Sequence, residues 1–426
     1  MRDGPFVQET LPCGLGLVCE HLPAWESIAL GLWLRAGPVY ESGSTSGLSH
    51  FLEHCLFKGA GKRDTRQLAL EADELGGDLD GVTEREFSLL EVRVIPEHLE
   101  RGVRLLCDLA FRPLLPGEEI EREKQVVLQE KAMAEDRPGD VLADLLLENV
   151  WPGNPLGFPI LGKDNVVANC APERLGAFHR QAYHPSRALL AVAGPVDVAR
   201  LARLVAEAVG DPWARSEPLV APGASCLAVG EWAKERDFEQ VHVCLASECP
   251  GAAALERYPL ALLDAILGGS VSSRLFQAVR EERGLAYSVG SSVSLFRQKG
   301  IMLISFSTAP TLAESALESV LTEVARLREE GVQQAELERA KQQARAGLVL
   351  SMDSTTARMG RLAKNVLLLD RVLPMAEALS EVERVTAVEV SELAKTLLAP
   401  QRLALAAVGP LGGAVWDRLR LLRAAA

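Results

Sequence analysis

The chain carries one segment twice. Residues 185–195 read Pro-Ser-Arg-Ala-Leu-Leu-Ala-Val-Ala-Gly-Pro, and residues 400–410 read Pro-Gln-Arg-Leu-Ala-Leu-Ala-Ala-Val-Gly-Pro, agreeing at six of eleven positions. The two copies lie 215 residues apart, about half of the 426-residue length. One repeat at that spacing predicts two similarly folded domains rather than a solenoid, whose units recur every ~20–50 residues. In each copy a helical pattern precedes an apolar strand ending in Gly-Pro. The Pro-rich stretch DPWARSEPLVAPGAS, 211–225, is the expected boundary, giving domains 1–215 and 226–426.

Periodicity within the first half predicts strands near 14–21 and 27–36, a helix around His50, and a helix at 64–75. Paired strands follow across 77–95, then helices at 97–110, 117–135, 139–150 and 172–182, and a strand at 187–193. The second half has a similar order, from VHVCLASE through PLALLDAILG to the strand at 402–408. Grouped strands with intervening helix pairs indicate an α+β class: two domains, each a mostly antiparallel sheet covered by helices.

The most informative chemistry lies in His50-Phe51-Leu52-Glu53-His54. This is H-x-x-E-H, the inverted form of the H-E-x-x-H zinc signature. Positions i and i+4 of a helix share a face, so both imidazoles can reach one metal ion. Glu53 points to the same side, where it can take a proton from an attacking water. Ser46 or Ser49 is expected to cap this helix, Leu48, Phe51, Leu52 and Cys55 to form its apolar face, and Gly59 to end it. Such a pattern arises by accident in about one chain in a hundred of this length. A metal site needs at least one more ligand. None of the remaining histidines forms a second pair at helix-face spacing, so a carboxylate is expected.

The best donor is the charged stretch Pro116 to Pro138, which reads as a long helix with acidic first turns. Glu123, Val126, Val127 and Glu130 recur at spacings that put them on one face. Carboxylates among apolar residues are costly to bury unpaired, and a cation between this helix and the first resolves that cost. A solvated charged face accounts well for Glu118, Glu119 and Glu121. For Glu130, spacing alone leaves both readings open.

These residues carry a family resemblance. The chain resembles the pitrilysin/insulinase family of zinc metallopeptidases, and more closely its short members, the mitochondrial-processing-peptidase-like proteins of bacteria. GLSHFLEHCLFKG at 47–59 is similar to the family's zinc helix, and EREKQVVLQEKAMAED at 121–136 to its second ligand helix. In the family a Glu 76 positions after the second His completes the site, which falls on Glu130, and a supporting Glu seven residues earlier falls on Glu123. NPLGFPILG (154–162) and YHPSRALLAVAGPVD (183–197) are similar to further family signatures. The resemblance implies a zinc endopeptidase in which His50, His54 and Glu130 hold Zn²⁺, Glu53 is the general base and Glu123 a supporting carboxylate. It also implies that substrate adds to a sheet edge near Gly77 to Phe87. There GGDLDGVTEREFS departs from the family, with Asp80-Gly81 in place of Asn-Ala, while Thr83 and Glu86 match.

The second half has no histidine beyond His242, so it is not expected to hold a copy of the metal site. Its Gly268-Gly269-Ser-Val-Ser-Ser lacks the Lys of a P-loop and reads as a helix stop followed by caps. Arg280 and Tyr287, seven apart in RLFQAVREERGLAYSVG, match in spacing an Arg and a Tyr that bind substrate carbonyls in the family. Because zinc site and Arg/Tyr pair lie in different halves, the resemblance implies a two-fold dimer, either a homodimer or a pair with a related subunit. The rival function is a non-catalytic structural or regulatory subunit of a processing-peptidase-like complex. Such subunits typically lose part of H-x-x-E-H, which this chain retains.

The net charge of −13 argues against nucleic acid or an anionic membrane as main partner, leaving peptide or unfolded protein. No apolar run approaches the ~18 residues of a transmembrane helix. The start, MRDGPFVQETLPCG, lacks the layout of a secretory signal. Eight scattered cysteines with no C-x-x-C pair fit free thiols in a reducing, cytoplasmic setting.

Overall fold

A computed structural model describes residues 5–210, 223 and 225–425. The first half runs β1 (Phe6–Thr10), β2 (Gly16–His21), β3 (Ile28–Leu34), α1 (Leu48–Leu56), β4 (Gly59–Ala60), β5 (Arg63–Asp64), α2 (Thr65–Leu75), β6 (Leu79–Thr83) and β7 (Ser88–Val94). It continues with α3 (Leu99–Phe111), α4 (Gly117–Glu135), α5 (Pro138–Val150), α6 (Asp164–Ala168), α7 (Pro172–Ala182), β8 (Ala188–Gly194) and α8 (Val198–Val209). The second half runs β9 (Glu231–Glu235), β10 (Val241–Pro250), α9 (Arg257–Leu267), β11 (Ser288–Leu295), β12 (Lys299–Thr308), α10 (Ala313–Glu330) and α11 (Gln334–Leu350). Then come α12 (Thr355–Leu369), α13 (Met375–Arg384), α14 (Ala387–Leu397), β13 (Ala404–Gly409) and α15 (Gly412–Ala425).

The repeat is a repeat of topology. The first sheet has the order β1-β2-β8-β3-β7-β6 and the second β11-β12-β10-β13-β9. Apart from the extra β1, each strand has a counterpart, and each sheet contains a single parallel pair, β2 with β8 and β13 with β9. The duplicated segments supply β8 and β13, the same position in both sheets. Each unit is therefore an α+β assembly with a mostly antiparallel sheet.

The described residues cluster as 5–132, 158–210 and 349–375 in one compact unit, with 133–157, 223, 225–348 and 376–425 in the other. This division differs from the contiguous expectation of 1–215 and 226–426. The central strands of each sheet are buried on both faces, and one face is covered by a helix from the opposite half of the sequence. In the first unit Ile28, Leu30, Leu32 and Leu34 of β3 face the main core with α1 and α3, while Ala29 and Trp33 face Met359, Leu362 and Ala363 of α12. In the second, Val141, Leu142, Leu146 and Val150 of α5 cover Cys244, Ala246, Ala404 and Ala406. Gly31 permits the first contact, because a Cβ there would meet the Met359 side chain. Arg358 of α12 also forms a fully buried ion pair with Glu20 of β2, at 2.6 Å. Removing either partner of such a pair typically costs ~3–5 kcal/mol. The expected boundary, 211–225, lies almost wholly outside the described residues.

Candidate metal centre

Helix α1 is anchored before it begins. Its N-cap is Gly47, at φ 94°, and no side chain caps the helix from that position. The expected role of Ser46 or Ser49 falls instead to Glu41, whose buried carboxylate accepts N–H bonds from Gly47 at 2.8 Å and Ser49 at 2.7 Å. Burial pushes the Glu41 carboxyl up to about 6, although both backbone bonds pull it down. Leu48, Phe51, Leu52, Cys55 and Leu56 are buried in the core, which leaves His50, Glu53 and His54 on the face toward β6 and α4. The two imidazole centroids are 4.7 Å apart.

Helix α4 brings the carboxylates. Ile120, Glu123 and Val127 are buried, whereas Val126 is 44% exposed and does not share their face as expected. Glu130 Oε2 lies 3.6 Å from His50 Nε2 and 3.3 Å from His54 Nε2. One ligand atom from each of His50, His54 and Glu130 falls within 4.8 Å of the others. That carboxylate oxygen is buried with no hydrogen-bond partner, as is His50 Nδ1. Burial, aided by His54, holds the His50 imidazole down at about 4, so at neutral pH it is an uncharged donor. Two imidazole nitrogens and an orphaned carboxylate oxygen converging on one point fit a zinc ion. On the far side of His54, Nδ1 lies 3.2 Å from Glu123 Oε2, which selects the Nδ1–H tautomer and turns Nε2 toward Glu130.

Glu53 stands beside this cluster, held from the sheet. Thr83, the last residue of β6, donates its hydroxyl to Glu53 Oε2 at 2.7 Å. Burial raises the Glu53 carboxyl, and the Thr83 bond opposes that shift. The Asp80-Gly81 departure acquires a geometric meaning here. A Cβ at Gly81 would lie 2.9 Å from Phe57 and 3.2 Å from Glu53 Cγ, so glycine lets the strand lie close against α1. Asp80, the preceding residue, points by strand alternation to the other face, and its Oδ1 accepts the Gly81 N–H at 2.8 Å.

The expected signature at 154–162 ends in a clasp between the two ligand helices. A Cβ at Gly162 would meet the Gly47 backbone closer than the 3.0 Å limit that real Cβ atoms respect. Next to it, Lys163 N–H donates to Ser46 C=O at 3.3 Å. Lys131, one residue beyond Glu130, donates to Gly162 C=O at 2.6 Å and pairs with Asp164 at 2.5 Å. Glu41 and Lys131 escaped sequence reasoning, and Thr83 was marked only by its match to the family pattern, since none sits at a motif spacing from the residue it holds.

In the second unit Arg280 lies in a π-helical turn, Phe276–Glu281. Its guanidinium is stacked between the rings of Phe276, at 4.8 Å, and Tyr287, at 4.6 Å. Tyr287 is 78% exposed. Arg280 and Tyr287 are thus brought together, presenting a cation and a phenol to solvent. All eight cysteines are free, six of them buried. No helix among the described residues is long and apolar enough to cross a membrane.

Comparison with known proteins identifies the family and the fold. Residues 17–164 match the insulinase family, peptidase family M16, and residues 169–344 match the family's "Peptidase M16 inactive domain". An uncharacterized zinc protease of Mycobacterium tuberculosis is 36% identical over 410 residues, covering 95% of this chain and 93% of that protein. Another, from Bacillus subtilis, is 33% identical over 404 residues, covering 94% and 97%. The crystal structure of a protease from Helicobacter pylori superposes with a TM-score of 0.91 at 18% identity, covering 96% of this chain and 100% of that one. A peptidase M16 inactive domain from Pseudomonas fluorescens gives 0.85 at 21% identity, covering 95% and 98%. The chain belongs to peptidase family M16 and has its two-domain fold.

Proposed function

We propose that this protein is a zinc-dependent endopeptidase acting on peptides or unfolded polypeptides. The observation that carries the reading is the convergence of His50 Nε2, His54 Nε2 and the orphaned Glu130 Oε2, with Glu53 on the same helix face. Zinc held there would supply Lewis acidity, polarising a carbonyl and making a water easier to deprotonate. Glu53 takes the proton of the attacking water and delivers it to the leaving amine. A carboxyl raised by burial suits that alternation, because it holds the proton between the two steps. Thr83 keeps the Glu53 carboxylate turned toward the reacting atoms, and Glu123 keeps His54 in its ligating tautomer.

Strand β6 ends its sheet, so its outer edge offers backbone groups to which an extended peptide can add as a further strand. Thr83 and Gly81 of that strand adjoin Glu53, which would bring the peptide backbone to the reacting centre. Arg280 and Tyr287 bind substrate carbonyls in the reading that the family likeness supports. In a two-fold homodimer, the zinc site of one chain faces that pair on its mate.

The test is a comparison of variants. One zinc per chain is expected in the purified protein, with hydrolysis of unfolded polypeptide abolished by chelation. Glu53→Gln keeps the zinc and loses nearly all hydrolysis, whereas His54→Ala and Glu130→Gln lose zinc. A metal-free protein that remains active sinks the reading, and equal zinc loss in all three variants overturns the role given to Glu53.

A further inference from the structure

We propose that Lys58 is a positioning residue of the metal centre, acting on His54 through Glu123. The inference rests on the zinc reading of His50, His54 and Glu130. Lys58 lies just past the end of α1, where the backbone is held on both sides. Its N–H donates to Cys55 C=O at 3.2 Å, and its C=O accepts the Thr65 hydroxyl at 3.1 Å. Gly59, at φ 137°, then turns the chain into β4. With its backbone pinned, the Lys58 side chain reaches one buried partner, placing Nζ 2.7 Å from Glu123 Oε1.

The other oxygen of the same carboxylate faces His54 Nδ1 at 3.2 Å. Glu123 is 6% exposed, and an ionised carboxylate in that environment is costly unless a cation and donors satisfy it. His54 Nδ1–H provides one donor, and Lys58 provides the charge. Without Lys58, nothing fixes Glu123 Oε1, so the carboxylate is free to swing away and its acceptor geometry toward His54 degrades. The imidazole then loses the partner that selects its tautomer and stops its rotation, and Nε2 is no longer held toward Glu130. Among the described residues, the Lys58 side chain pairs with Glu123 and with none of the three candidate ligands. Its effect must pass through Glu123.

A double-mutant cycle on zinc affinity, read by competition with a chelator, tests this route. Zinc itself is the probe, and the full chain is used in every case. Glu123→Gln is expected to weaken zinc binding by ~10–100-fold, the usual effect of removing a partner of a metal-bound histidine. Lys58→Met should weaken it by on the order of 10-fold, with much of the loss restored in Lys58→Arg, which keeps the cation. Lys58→Gln serves in its place should the Met variant not fold. The combined Lys58→Met/Glu123→Gln protein should bind zinc no more weakly than Glu123→Gln alone. A purely structural role predicts multiplying losses instead, so full multiplication overturns the proposal. So does wild-type affinity in Lys58→Met, or in Lys58→Gln where it replaces the Met variant. A wild-type chain that takes up no zinc refutes the metal site itself, an outcome separable from either of these.

Discussion

Gly162→Ala is expected to destabilise the first unit by about 2–5 kcal/mol and to weaken zinc binding. Two effects combine. Gly162 sits at φ 67°, where an L-residue with a Cβ costs ~1–2 kcal/mol. The new Cβ would also fall on the Cα and N of Gly47 and the carbonyl of Ser46. These are backbone atoms at the start of α1, so the clash is relieved only by moving the helix that carries His50 and His54 or the Gly162 segment that Lys131 ties to α4. Overpacking of that kind costs ~1–3 kcal/mol. Gly77→Ala is the control, since Gly77 has φ 77° but open space where its Cβ would go, and it should lose only ~1–2 kcal/mol. Urea unfolding of the metal-free proteins measures the difference, and chelator competition measures zinc affinity. Equal destabilisation of the two variants, or unchanged zinc affinity in Gly162→Ala, would refute the clasp as a constraint on the site.

Glu41 should impose a pH dependence on stability. Its carboxyl is raised from 4.5 to about 6 in the folded protein, so the folded state holds the proton more tightly than the unfolded one. The associated stability is fully present below 4.5 and is lost as pH rises through about 6. The shift corresponds to ~2 kcal/mol. Glu41→Gln removes this term, so the wild-type advantage over the variant should shrink between pH 4.5 and 7 in unfolding experiments, and a constant difference contradicts the assignment. Thr83→Val deletes the hydroxyl bonded to Glu53 and keeps the shape of the side chain. A bond to a charged group contributes ~1.5–3 kcal/mol, so kcat should fall about 10–100-fold with KM and zinc content unchanged; a loss confined to KM, or loss of zinc, would contradict a role through Glu53. If the proposed homodimer forms, mixing inactive Glu53→Gln with inactive Tyr287→Phe should partly restore hydrolysis, because a hybrid dimer would hold one site with both residues intact. Subunits that demonstrably exchange without regaining activity exclude the cross-subunit site.

What the sequence determined by itself was whatever has a local period or a literal copy. The spacing of His50, Glu53 and His54 puts three functional groups on one helix face in any fold that keeps the helix. The duplicated 185–195 and 400–410 segments anticipated two sheets of matching topology, and they supply the same strand of each. Glu130 was legible only in part, since spacing left it between ligand and solvated face. Its orphaned oxygen between two imidazoles favours the first. The tertiary structure decided everything made between segments with no period in common. Nothing local marks Glu41 as the anchor of α1, Thr83 as the partner of Glu53 thirty positions away, or Lys58 as the cation facing Glu123. Gly47 and Gly162 each read as an ordinary helix or turn glycine until the two backbones are seen to cross. The placement of α12 on the first sheet and α5 on the second was equally invisible. An amphipathic helix encodes that it must bury an apolar face but not which sheet will cover it, and only packing of the complete chain resolves that choice.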